Sequence, residues 1–244
     1  MKGEREVKKV IVIVLAVALV AMLGATGVFA QENPNASAKA TAQIDLLHVM
    51  SVAYTDDLND FAFDFDADEI LEQTIKTANG KDLFIDISLQ SAVFTGTTVM
   101  SKKMERDTSN AAASVFLWVW IDKGTPDARL AFPGPVVYNA RTQTLTAVLQ
   151  GVVELVEDDG PALNITAPEE IGLFIGTMSA NAFNFIVDDL SSGMHTVTVD
   201  AACASSAMNQ QGCANSMAVI GLGSMTIEEV RMIKGEDAVP EWWP

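Results

Sequence analysis

The chain has 244 residues, 49% of them hydrophobic, with 32 acidic against 15 basic side chains and a net charge of −17. Apolar content near half excludes a disordered chain, and so large an acidic excess repels phosphate backbones, which excludes nucleic acid as a partner. Divalent cations and basic surfaces remain compatible with that charge.

Lys2, Arg5, Lys8 and Lys9 precede an unbroken apolar run over residues 10–23, after which small residues lead to Ala30. Basic head, apolar core and small-residue end are the pattern of a secretory signal peptide, expected over residues 1–30 with cleavage after Ala30. Fourteen apolar residues fall short of the roughly 20 that span a bilayer, so cleavage is favoured over anchoring. No later run reaches membrane length, and no membrane span is expected in the mature chain. Cleavage leaves 11 basic against 30 acidic residues, a net charge of −19, in a secreted, periplasmic or cell-surface protein.

Residues 31–40, QENPNASAKA, form an expected flexible mature N-terminus. A first strand is expected over residues 41–54. In the stretch that follows, Phe61, Phe63 and Phe65 alternate with Ala62, Asp64 and Asp66. A period of two puts the rings on one face and the carboxylates on the other. Asn79-Gly80 sits between two strand-like runs and predicts a type I′ hairpin turn. Beyond it Leu83, Ile85, Ile87 and Leu89 form one side of a strand, buried, with Phe84, Asp86, Ser88 and Gln90 on the other.

In SVFLWVWID, Val115, Leu117, Val119 and Ile121 oppose Phe116, Trp118 and Trp120, so both faces are apolar. Such a strand is covered on both sides, by the sandwich or by a partner subunit. The run VVYNARTQTLTAVLQGVVELV adds more strand. A helix is expected in TAPEEIGLFIGTMSA: Thr166 and Glu169 have capping-box spacing, Pro168 suits the first turn, and Ile171, Phe174, Ile175 and Met178 recur at helical spacing. The chain then returns to strands. In the last of them the alternation slips at Glu228-Glu229, which predicts a bulge there. Many short strands with regular turn signals predict an all-β domain over residues 41–234, a two-sheet sandwich of jelly-roll type with one short crossover helix. Residues 235–244 form a C-terminal tail carrying Trp242 and Trp243.

Cys203 and Cys213 are the two cysteines. Their spacing is not CxxC and export favours oxidation, so a disulfide across two strands is expected in preference to a metal or redox site. Asp64, Asp66, Asp68 and Glu72 have the spacing of early calcium-loop ligands. Glu69 stands where an EF-hand needs glycine and Ile75 where it needs glutamate, so the candidate is an inter-strand calcium site weighed against a solvated acidic face. Glu154, Glu157, Asp158 and Asp159 form a second acidic group. Apart from calcium, no cofactor is expected.

No G-x-S-x-G elbow occurs, and His48 and His195 are the only histidines. His195 shares parity with Val197 and Val199, as a core or rim histidine would, so no catalytic residue is assigned. Trp118 and Trp120 suit either a sugar-stacking platform or an assembly surface, weighed against an ordinary core stripe, and Trp242 and Trp243 suit docking on the domain or on a neighbour. Asn35 and Asn164 head glycosylation acceptor triplets.

The segments NGKDLFIDISLQ, PGPVVYNARTQTLTA, ANAFNFIVDDLSSGMHTVTV and GSMTIEEVRMIKG resemble stretches of uncharacterised exported prokaryotic proteins. That resemblance implies a secreted β fold and carries no activity with it. The expected function is that of an exported, non-enzymatic sandwich that associates with itself or with another surface protein. A glycan-binding module is the first alternative and a carboxylate-based hydrolase the second.

Overall fold

The computed structural model describes residues 38–43, 49–101, 104–156 and 162–231. The expected signal peptide, Asn35, His48, Glu157, Asp158 and Asp159, and the tail with Trp242 and Trp243 lie outside the described residues.

In chain order the strands are β1 (Ala38–Gln43), β2 (Val49–Thr55), β3 (Phe61–Thr77), β4 (Lys81–Ser101), β5 (Glu105–Ile121), β6 (Arg129–Leu130), β7 (Val136–Leu149), β8 (Val152–Val156), β9 (Ala162–Ala167), β10 (Glu169–Leu190), β11 (Gly193–Asn209) and β12 (Cys213–Val230). One sheet has the order β1-β12-β4-β10, with β2 also on β12. The second has the order β3-β11-β5-β6, with β7 also on β5, and β8 and β9 form a separate ribbon. Every pairing is antiparallel. The two large sheets pack face to face as a sandwich, consistent with a jelly roll.

The core follows from alternation. Leu83, Ile85, Ile87 and Leu89 of β4 face Val115, Leu117, Val119 and Ile121 of β5 and Val197, Val199 and Ala201 of β11, all fully buried, with Phe185, Ile220, Met225 and Ile227 beside them. Each large side chain so buried contributes about 1.5–3 kcal/mol of transfer free energy. Nearer β7 the interior turns polar. Gln143 of β7 accepts a hydrogen bond from Thr95 Oγ1 at 2.9 Å and donates from Nε2 to Thr97 Oγ1 at 2.6 Å and to the Leu173 carbonyl at 2.8 Å. Asn139 donates to Ser91 Oγ at 3.0 Å, so hydroxyl and amide groups tie the two sheets where aliphatic packing ends.

The expected helix over residues 166–178 is replaced by strand. From Glu169↔Ser101 to Val187↔Leu83, β10 runs against β4 in one unbroken register. As a strand, the segment puts Ile171, Leu173 and Ile175 on one face and Phe174 and Met178 on the other, and Gly172 and Gly176 together with Ile171, Ile175 and Thr177 lower helix propensity. A second strand's hydrogen bonds then decide between two patterns that the local sequence allows.

Two turn assignments change as well. Asn79 and Gly80 do not close a hairpin, because β3 and β4 belong to different sheets; Gly80, at φ 65°, turns a corner between them and its N–H reaches the Leu190 carbonyl at 3.0 Å. The register shift in β12 falls between Ile220 and Gly223, not at Glu228-Glu229. That is where the neighbour of β12 changes from β2, which ends at Ile220↔Val49, to β1, which begins at Gly223↔Gln43. An irregular pair of residues accommodates the handover.

Candidate binding surfaces

The alternating segment of β3 is set by a bulge. Leu71 pairs with Val199 and Glu69 with Asp200, which leaves Ile70 as the extra residue. Downstream of it Gln73, Ile75 and Thr77 face the core. Upstream the parity is reversed, and Phe61, Phe63 and Phe65 stand on the outer face at 62%, 61% and 54% exposure, with Met208 of β11 opposite Phe61. On the same face run Ser206 and Ala204 of β11, then Asn110, Ala112 and Ser114 of β5, then Thr144, Thr142 and Ala140 of β7. Three exposed rings thus border a floor of small and hydroxyl-bearing side chains.

The carboxylates between these rings turn toward β2 and have a structural task. Asp64 Oδ2 accepts the N–H of Val52 at 2.7 Å and Asp66 Oδ2 accepts that of Met50 at 3.2 Å. Asp60 Oδ2 accepts from Thr55 Oγ1 at 2.7 Å. Among the described residues β2 pairs only with β12, and these side chains cover its other edge with negative charge as a neighbouring strand's acceptors would. The four candidate calcium ligands are not brought together. Glu72 lies beyond the bulge, on the outer face opposite Thr198, while Asp64 and Asp66 are committed to amides. Among the described residues no group of three or more His, Cys, Asp or Glu side chains is arranged to hold a metal.

Trp118 and Trp120 lie on the outer face of β5, each half-buried. Trp118 donates its indole N–H to Asp200 Oδ2 at 3.1 Å, and Lys123 Nζ reaches Asp200 Oδ1 at 2.6 Å and Glu69 Oε2 at 3.3 Å. Burial alone would lower the Lys123 pKa, but hydrogen bonds and charge from Asp200 and Glu69 outweigh it and raise the ammonium above its ordinary value. This ion cluster pins the first tryptophan, so the pair is partly structural and partly displayed.

His195 is buried, with Nδ1 2.7 Å from Asp122 Oδ2 and Nε2 3.0 Å from the Ser191 carbonyl oxygen. Both ring nitrogens are engaged, which leaves neither to take a proton from a nucleophile and fits the core role its parity predicts.

Both cysteines are free thiols, which corrects the expected disulfide. Cys203 pairs with Asp66 and Val115 in one sheet, whereas Cys213 pairs with Thr98 in the other. Cys213 opens β12, while Cys203 lies six residues before the end of β11, a separation of about 20 Å along the strand. That is far beyond the reach of an S–S bond. Burial pushes the Cys203 thiol up to about 12, with the Asp66 charge adding to it.

A further surface lies on β10, where the local sequence pattern predicts a helix. The first half of β10 is an edge with apolar side chains on both faces: Ile171, Leu173, Phe174 and Met178 are 44–54% exposed. Ile186 exchanges both backbone hydrogen bonds with Phe132, away from β4. Because the β10–β4 register is unbroken, every second residue back from Ile186, including Met178, Gly176, Phe174 and Gly172, turns its N–H and C=O the same way. Among the described residues no strand pairs with that side of Gly172–Met178.

No family model matches the sequence, and no curated protein matches it. Among solved structures, a CBM61 module in complex with beta-1,4-galactotriose is similar at 9% identity and TM-score 0.19, over 82% of this chain and 97% of that one. A CBM4 structure is similar at 11% identity and TM-score 0.19, over 78% and 86%. A lipoprotein of Bacteroides thetaiotaomicron is similar at 9% identity and TM-score 0.21, over 85% and 94%. Likeness at this level carries no argument about ligand or activity.

Proposed function

We propose that the protein is an exported, non-catalytic β-sandwich that works by associating through its surface with copies of itself or with a partner. The observation that carries this reading is the display of large apolar side chains where a sandwich normally shows polar ones. They form a row of three phenylalanines on β3 and a bare apolar edge on β10. Exposed apolar groups gathered this way cost solubility and are kept where something covers them. Export rests on the basic, apolar and small-residue order of residues 1–30. The carboxylate hydrolase gains no support, since Asp64 and Asp66 are spent on backbone amides.

A glycan-binding role is the second reading, favoured by the outer face of β3, β11, β5 and β7. There Phe61, Phe63 and Phe65 adjoin Ser206, Asn110 and Thr144, a mixture of ring faces and hydrogen-bonding groups suited to a sugar. Trp118 and Trp120 extend the same face. Sedimentation of the processed protein over a wide concentration range, run beside a glycan array, separates the readings. Concentration-dependent mass without glycan binding supports association. A monomer whose glycan binding is lost in Phe63→Ala and Trp120→Ala supports the second.

A further inference from the structure

Resting on the association reading, we infer that the free edge of β10 is a pairing edge for a second copy of this chain, the two β10 strands running antiparallel about a two-fold axis at Ile175. Three observations lead there. The first is the orientation of the backbone: Gly172, Phe174, Gly176 and Met178 present donors and acceptors to the free side, and another extended strand satisfies such a row.

The second is what this edge lacks. Residues 171–187 contain no charged residue and no proline, in a chain with 47 charged side chains. Proteins ordinarily blunt an edge with lysine, proline, a bulge or acidic caps. This protein does so at β2, where Asp64 and Asp66 cover Val52 and Met50. Protection at one edge and its omission at another of the same sandwich mark the second as an edge used for pairing.

The third fixes the partner and the register. β4 carries Phe94-Thr95-Gly96 and β10 carries Phe174-Ile175-Gly176, and the two motifs pair antiparallel with Phe94 opposite Gly176 and Phe174 opposite Gly96. Phe94 lies over Gly176 so closely that an added Cβ would come within 2.7 Å of its Cδ1. The two rings stack with centroids 6.2 Å apart and planes 19° from parallel. One ring of the pair thus covers the glycine of the other motif, Phe94 over Gly176, while Asn215 covers Gly96. About an axis at Ile175, Phe174 stands opposite Gly176 of the second copy, next to the Phe94 ring that covers that glycine, so the row of rings continues across the junction. Glu170 then lies opposite Ala180 of the second copy, and the two Glu170 side chains stay ten residues apart along the strands, or about 30 Å. The acidic chain brings no like charges into contact there.

Two variants of the processed protein test this. Met178→Pro removes an N–H on the free side and leaves the β4 ladder intact, because the residues that bond to β4 are its neighbours. The dimer dissociation constant rises by roughly 100-fold while the β-type circular dichroism is retained. In a Cys213→Ser background, Ile175→Cys sits on the axis and oxidises to a cross-linked dimer, whereas Thr177→Cys, placed opposite Leu173 of the second copy, does not. Self-association unchanged by Met178→Pro, or equal cross-linking at both positions, overturns the edge while the association reading stands. A monomer at every concentration overturns both.

Discussion

The carboxylate of Asp64 accepts the backbone N–H of Val52 at 2.7 Å, from a strand in the opposite sheet. With Asp66 on Met50, two residues along, it does for β2 what a neighbouring strand would do. Asp64→Ala exposes the amide and costs about 1 kcal/mol, and the double variant with Asp66→Ala costs about twice that and promotes aggregation through the uncovered edge. Urea unfolding reads the first effect and light scattering near the melting temperature the second.

Asp200 is nearly buried beneath Trp118, and Lys123 neutralises it. The folded-state pKa of Lys123 is raised above the ordinary 10.5, so the stability it contributes is fully present below about 10.5 and is lost as pH rises through the higher folded value. Lys123→Met is expected to cost about 1 kcal/mol at pH 7, the modest figure for an ammonium more than a third exposed. The difference from the parent protein should shrink above pH 10.5. Unfolding curves for both proteins at pH 7, 9 and 11 check the sign.

The two thiols should behave differently. With its pKa near 12, the Cys203 thiol is ionised to about one part in ten thousand at pH 8 and is buried besides. Cys213, partly exposed at the start of β12, reacts first. Titration with a thiol reagent is expected to find one reactive group in the folded protein and two after unfolding.

Gln143 satisfies two buried hydroxyls, Thr95 and Thr97, at 0% and 1% exposure. Gln143→Ala leaves both without that partner and opens a cavity, and destabilisation of about 3 kcal/mol is expected. Gln143→Leu fills the space but not the hydrogen bonds and should cost about 2 kcal/mol. Chemical denaturation of the three proteins gives the order.

Alternation was enough to read most of this fold. Leu83 to Leu89, Val115 to Ile121 and His195 to Cys203 keep a period of two, and each set faces the core as expected. What failed depended on partners distant in sequence. Residues 171–178 fit a helical face and a strand equally well, and only pairing with β4 decides between them. Asn79-Gly80 reads as a hairpin because local turn chemistry does not reveal that the chain changes sheets there. The disulfide failed for the same reason: cysteines ten residues apart suggest a hairpin tip, but β11 and β12 lie in different sheets. Alternation puts the rings of Phe61, Phe63 and Phe65 on one face, but which face points outward depends on the bulge at Ile70.

Association through exposed apolar surface is tested most directly by the mass in solution of the protein without residues 1–30, measured by sedimentation equilibrium from nanomolar to high micromolar concentration. A weight-average mass that climbs from monomer to dimer or beyond, reversibly on dilution, is the predicted result. A constant monomer mass across the whole range would contradict the account.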